Sequence, residues 1–212
     1  SATGFYISAN TAVEPGDIRL NEVQVVPVLA PGTAAAASVS LGIPSDLATG
    51  VYYLIAKADA ADVLFENQEG NNTRVRQILV GPDLVVSTLT VPSVATPGAQ
   101  IAASYTVQNQ GAAPAPASSL RFFWSTNSSL DAADTVLASE SVGTLAPDGS
   151  TPGQTTLVVP SGATLGTYYV IAEADSSKGI QEARETNNTA ARVVRIGGDL
   201  VISAFDPPAA LG

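Results

Sequence analysis

The chain has no cysteine, no histidine and no methionine among its 212 residues. The first absence excludes disulfides and thiolate metal sites. The second removes the commonest general base and the commonest transition-metal ligand. A serine nucleophile would have to borrow a lysine, and the two lysines, Lys57 and Lys178, fall on a strand surface and in a loop. The chain therefore reads as non-catalytic. Charge is also scarce, at 13% of residues, and it is unbalanced: 9 basic against 19 acidic, a formal charge of −10. Nucleic acid is excluded as a partner because phosphate contacts need clustered Lys and Arg, and an anionic membrane surface is disfavoured. No apolar run approaches the roughly 18 residues that would insert into a bilayer. Residues 1–30 lack the basic and apolar regions of a signal peptide. With no methionine at its start, the chain reads as a processed product or an excerpt.

What the chain has in abundance is apolar material, 45% of residues, and it is arranged in repeats. The stretch Pro44-Ser-Asp-Leu-Ala-Thr-Gly50-Val-Tyr52-Tyr53-Leu-Ile-Ala-Lys-Ala58-Asp59 returns as Pro160-Ser-Gly-Ala-Thr-Leu-Gly166-Thr-Tyr168-Tyr169-Val-Ile-Ala-Glu-Ala174-Asp175. The offset is 166 − 50 = 116. At the same spacing Glu66, Glu69, Asn71, Asn72 and Thr73 match Glu182, Glu185, Asn187, Asn188 and Thr189, and Asp83-Leu-Val-Val-Ser87 matches Asp199-Leu-Val-Ile-Ser203. Upstream the offset becomes 117, with Phe5-Tyr-Ile-Ser8 on Phe122-Phe-Trp-Ser125, and such a one-residue slip is expected in a loop. The implied organisation is a partial repeat over 1–81 that lacks its first strands, a complete repeat over 82–197, and the start of a third over 198–212.

Gly, Pro, Asn and Ser clusters divide the complete repeat into seven short segments, near 83–90, 100–108, 119–125, 135–142, 153–159, 166–174 and 189–196. The expected fold class is all-β: tandem immunoglobulin-like β-sandwich domains, about seven antiparallel strands per complete repeat. Alternation turns Ile101, Ala103, Tyr105 and Val107 inward, with Leu120, Phe122 and Trp124, and with Tyr168, Val170 and Ala172. Arg192 and Arg195 have opposite parity, which predicts a bulge in the last strand. Gly166-Thr-Tyr168-Tyr-Val170 has the pattern of a tyrosine corner, with Val170 where antibody domains carry cysteine.

These pieces together resemble the cell-adhesion-related domain found in bacteria, CARDB. The resemblance rests on Pro82-Asp-Leu-Val-Val-Ser, Ala103-Ser-Tyr105-Thr-Val-Gln-Asn109-Gln-Gly111, Ser125-Thr-Asn-Ser-Ser-Leu-Asp131-Ala-Ala-Asp134-Thr, Gly166-Thr-Tyr-Tyr, and Glu182-Ala-Arg-Glu185-Thr-Asn-Asn-Thr189. It covers the complete repeat and most of the first. It implies an immunoglobulin-like sandwich in large extracellular or cell-surface prokaryotic proteins, with a role in adhesion or as a spacer and with no catalytic residues. Asn127 departs from the Asp that many members carry there.

Two constellations are candidate sites. Asp131 and Asp134 offer oxygen ligands suited to Ca²⁺, or they close turns through bonds to backbone N–H groups; Glu14 and Asp17 are their counterparts. If successive domains sit end to end, Glu14 and Asp17 approach Asp83, Asp175, Glu182 and Glu185, a junction that would bind Ca²⁺ and stiffen the array. On the outer face of the sheet, Phe123 and Tyr169, with Tyr6 and Tyr53 at the equivalent places, form either a contact surface for a protein or glycan or simple cross-strand pairs. Three acceptor patterns for N-glycosylation, at Asn71, Asn127 and Asn187, are expected to be accidental. The expected function is a spacer or fibre-forming segment whose partners are neighbouring repeats of the same chain or copies of itself. The alternatives are direct adhesion through the aromatic face and an accessory domain of a secreted hydrolase.

Overall fold

The structure is a computed structural model that describes residues 1–198 and residue 204. The third repeat expected over 198–212 lies outside the described residues except for Gly198 and Ala204. In the first part of the chain, β1 (Ala2–Ser8), β2 (Ile18–Val25), β3 (Gly50–Lys57) and β4 (Thr73–Val80) form an antiparallel sheet in the order β2-β1-β3-β4. A single 3-10 turn, Glu69–Asn71, precedes β4.

The second part is a two-layer sandwich. One layer holds β5 (Leu84–Thr90), β7 (Gln100–Asn109) and β10 (Ser150–Val158) in the order β10-β7-β5. The other holds β6 (Val94–Ala95), β8 (Ser118–Ser125), β9 (Thr135–Val142), β11 (Gly166–Glu173) and β12 (Thr189–Ile196) in the order β6-β12-β11-β8-β9. The seven segments expected from the turn signals are all strands. The two-residue β6 escapes sequence reading because nothing in Val94-Ala95 alternates. It carries the chain from one layer to the edge of the other, where it pairs parallel to Arg195 and Ile196.

Strand alternation builds the core directly. In β7 the odd positions Ile101, Ala103, Tyr105 and Val107 are buried and the intervening ones are not. They meet Leu120, Phe122, Trp124, Val170, Ala172 and Val194 from the facing layer. Tyr105 and Phe122 touch across the layers with ring centroids 5.4 Å apart. Trp124 stacks on Tyr168 at 4.9 Å, and the Tyr168 hydroxyl accepts the Thr164 N–H at 3.2 Å. That bond closes the tyrosine corner and holds the loop before β11 against the sheet.

Three expectations are corrected. β12 has no bulge: it pairs with β11 without interruption from Gly166↔Ile196 to Glu173↔Thr189. Arg192 shares the inward parity of Val194 but stays exposed, because β6 covers β12 only at Arg195 and Ile196 and the edge beyond is open. The one-residue slip is not in a loop. β1 and β2 pair Gly4↔Val23 and then Tyr6↔Arg19, whereas β8 and β9 pair Arg121↔Ser139 and then Phe123↔Val136. The extra residue is absorbed in a β-bulge, which lets one strand lengthen while both ladders continue. Finally, Phe123 points away from the core yet is only 8% exposed. It stands opposite Ile171, which is fully buried.

Candidate functional site: a polar clamp at the linker

The two parts are joined by Gly81-Pro82-Asp83, and this short linker is anchored to the sandwich. Gly81 has a φ of +97°, a value that favours glycine. The Gly81 carbonyl accepts the Ala113 N–H at 3.2 Å, and the Pro82 carbonyl accepts the Ala183 N–H at 2.8 Å. Gly111 lies so close to the linker backbone that any Cβ there would collide with Gly81, Pro82 and Asp83.

Asn109, at the end of β7, is the hub. It is completely buried. Its Oδ1 accepts the N–H groups of Asp83 and Gly111, both at 3.0 Å. Its Nδ2 donates to the carbonyls of Ala113 at 2.8 Å and of Leu145 and Ala146 at 3.2 Å. One amide thus satisfies groups from the linker and two loops, groups that would otherwise be buried without partners. Asn109 was legible only as part of a turn, because the groups it serves are distant in sequence.

Asp83 is also completely buried. Its Oδ1 accepts the Asn187 side-chain amide at 3.1 Å, and its Oδ2 faces Arg184 Nη1 at 3.8 Å. Beside it, Glu182 is 4% exposed and accepts the Leu84 N–H, the first of β5, on Oε2 and the Asn188 amide on Oε1 at 3.0 Å. Burial above all, with the charges of Glu185 and Asp175, pushes the Glu182 carboxyl up to about 7 against the opposing Leu84 N–H and Asn188 amide. Glu185 accepts the Glu182 N–H at 2.9 Å, and Asp175 accepts the Ile180 N–H at 2.8 Å.

The structure therefore brings Asp83, Asp175, Glu182 and Glu185 to one end of the sandwich, where they fasten the linker and the β11–β12 loop. Glu14, Asp17, Asp131 and Asp134 have a different job. The Asp131 N–H donates to Asp134 Oδ2 at 2.9 Å, and the Glu14 N–H donates to Asp17 Oδ2 at 2.7 Å. The Asn10 and Asn127 carbonyls close matching turns by accepting from Ala12 and Ser129, each at 2.8 Å. Among the described residues no three acidic groups gather where a metal ion could be held. Glu14 and Asp17 close a turn of the first sheet, whereas Asp83, Asp175, Glu182 and Glu185 stand at the linker end of the sandwich.

On the outer face, Phe123 is buried, and Tyr169, Tyr6 and Tyr53 are half-buried. Register sets Phe123 beside Ile171, and Tyr6 beside Ile55, which is likewise fully buried. These side chains form cross-strand pairs. No helix among the described residues is long and apolar enough to cross a membrane.

Comparison with known proteins ties the sandwich to a family. The CARDB family model matches residues 81–192. The CARDB domain of a Pyrococcus furiosus protein, solved in complex with di-metal ions, is 22% identical, with a TM-score of 0.44, covering 55% of this chain and 94% of that one. A domain from Methanosarcina acetivorans, of a protein named for the cell surface, is 22% identical with a TM-score of 0.43, covering 57% and 96%. A β-glucosidase from Listeria innocua, in complex with isofagomine, is 15% identical with a TM-score of 0.39, covering 57% of this chain but 17% of the enzyme. No curated protein matches the chain. With more than half of its length matched by the family model, the chain belongs to the CARDB family.

Proposed function

We propose that this chain is a structural spacer of an extracellular prokaryotic surface protein, with a linker held rigidly enough to transmit orientation from one domain to the next. The observation that carries this reading is the burial of Asp83 inside the sandwich that it introduces. A flexible tether leaves its backbone in water. Here the three linker residues are bonded through Gly81 O, Pro82 O and Asp83 N, so the hinge is reduced to very few rotatable bonds. The absence of histidine and the scarcity of lysine fit a role without chemistry.

Small-angle scattering tests this. The wild-type chain and a variant with Gly-Ser-Gly-Ser inserted after Gly81 are compared. The spacer reading expects a narrow distribution of maximum dimensions that broadens with the insertion. A wild-type distribution as broad as the insertion variant's would overturn it. Adhesion through the outer aromatic face has weaker support, since Phe123 offers little surface.

A further inference from the structure

Charge is distributed very unevenly over the sandwich. From Leu84 to Leu120 and from Gly149 to Ala172 the chain carries no charged residue. β5, β7 and β10 fall entirely within those stretches, so one whole layer is uncharged. The other layer carries Arg121, Glu140, Glu173, Arg192 and Arg195. The formal charge of −10 is thus held entirely outside the β5–β7–β10 layer. An outward sheet face is ordinarily kept soluble by charged side chains. Here hydroxyls and amides do this instead.

On the outer face of this layer lies an open trough of about 340 Å³. Ser104 and Thr106 of β7 run along its middle, with Thr88 and Thr90 of β5 on one side and Pro152 and Gln154 of β10 on the other. Alternation produces it: Ala103, Tyr105 and Val107 turn into the core, which leaves Ser104 and Thr106 facing out. Thr88, Thr90, Ser104 and Gln154 are exposed. Thr88 and Thr106 bond each other through their hydroxyls at 2.9 Å, which fixes both side chains.

We infer that this trough is a docking surface for a linear, uncharged glycan. Hydroxyls and amides both donate and accept, so they match the hydroxyls of a neutral sugar chain. The exposed Pro152 ring adds an apolar contact for the C–H face of a sugar. An acidic glycan would find no cation among the trough residues and would be repelled by the net charge of the chain. A second copy carries the same −10, and a large net charge keeps chains apart. A protein partner would find no arginine and no exposed aromatic here, since Tyr105 is buried, and such interfaces depend on those anchors. The surface lies on the layer opposite Phe123 and Tyr169 and does not involve the linker, so it is independent of the spacer reading.

The test is a titration of the full chain, followed by amide NMR, with cellohexaose, xylohexaose, mannohexaose and maltohexaose, and with polygalacturonate as the acidic control. Saturable shifts of the Thr88, Ser104, Thr106 and Gln154 amides are expected with at least one neutral hexasaccharide and not with polygalacturonate. Ser104→Asp should weaken that binding about tenfold or more, because it sets an unpaired charge beneath the sugar. Ser104→Gln, which fills the trough without adding charge, should weaken it too, with the urea transition read by Trp124 fluorescence unchanged. No shift with any of the neutral hexasaccharides would overturn the inference. So would shifts confined to the β8–β9–β11–β12 face, or binding that both variants retain. Shifts of the same amides with protein concentration alone would assign the face to a second copy and overturn it as well.

Discussion

The β1–β4 sheet and the β6–β12–β11–β8–β9 layer are nearly the same object placed in two environments. Their ladders match pair for pair: Gly50↔Val80 to Lys57↔Thr73, and Gly166↔Ile196 to Glu173↔Thr189. Their loops match bond for bond. Leu64 N–H to Asp59 Oδ2 and Ile180 N–H to Asp175 Oδ2 are both 2.8 Å, and the Glu66–Glu69 turn repeats as Glu182–Glu185. What differs is the second layer. Leu29 is 43% exposed where Leu145 is 7%, and Leu64 is 49% exposed where Ile180 is 9%. Local sequence is therefore enough to set strands, turns and caps, whereas burial depends on β5, β7 and β10 lying across the sheet. The counterpart of β10, residues 34–42, carries no strand. In the sandwich β10 pairs with β7, and among the described residues no strand stands in that place beside the β1–β4 sheet.

The largest test of this contrast is to truncate the same ring in both environments. Phe122→Ala should cost about 3–5 kcal/mol, as loss of a buried aromatic does. Phe5→Ala should cost no more than about 1–2 kcal/mol, since its ring is already half in water. Trp124 is the only tryptophan and sits in the sandwich, so urea unfolding followed by its fluorescence reads the sandwich alone. Phe122→Ala should move that transition and Phe5→Ala should leave it in place. Equal shifts would mean that the two parts unfold as one and would dissolve the contrast.

Asn109→Ala removes a hub for which the β1–β4 sheet has no equivalent. It leaves several buried backbone groups without partners, a loss of about 3 kcal/mol, read in the same titration. Hydrogen exchange should show the Asp83 and Gly111 amides losing protection before the rest of β7. Protection unchanged at those two amides would refute the hub.

A smaller effect follows from Glu182. Its folded-state value of about 7 lies above the ordinary 4.5, so the folded chain binds a proton that the unfolded chain has released between those values. Stability therefore rises as pH falls from 7 toward 4.5, and the penalty of the buried charge is fully present above pH 7. From pH 8 toward pH 4.5 wild type should gain on the order of 2 kcal/mol relative to Glu182→Gln, whose single amide oxygen can accept only one of the bonds from Leu84 and Asn188. A gap independent of pH would refute this assignment.

The smallest change is Asp134→Ala, which removes the acceptor for the Asp131 N–H. It should lower stability by about 1 kcal/mol, as loss of a capping side chain does. Calorimetry with and without millimolar Ca²⁺ should give the same melting temperature for wild type and variant alike. A Ca²⁺-dependent rise that disappears in Asp134→Ala would restore the loop as a cation site.

Much of the architecture was legible because it is written locally. Period-two burial in β7, the tyrosine corner at Tyr168 and the turn closed by Asp134 each need only a few adjacent residues. The linker clamp was legible only as acids and asparagines near Gly-Pro. Which carboxylate meets which amide is decided by partners such as Asp83 and Asn187, far apart along the chain. The outer aromatics were legible only as a face for the same reason: strand parity gives the face of Phe123, but its exposure depends on neighbours from β11 and β9.

By itself, then, the sequence determined the seven longer strands of the sandwich, the tyrosine corner and the family, because backbone preference and side-chain alternation act within one segment. The tertiary structure decided what those segments are worth. It placed the extra residue of the first sheet in a bulge, and it set Glu14, Asp17, Asp131 and Asp134 in turns while Asp83 and Glu182 fasten distant segments. It also buried Asp83 within the sandwich and set matching residues of the two sheets at different depths, as with Leu29 and Leu145. Each of these depends on groups brought together from distant parts of the chain, where desolvation and packing, and not local propensity, set the energy.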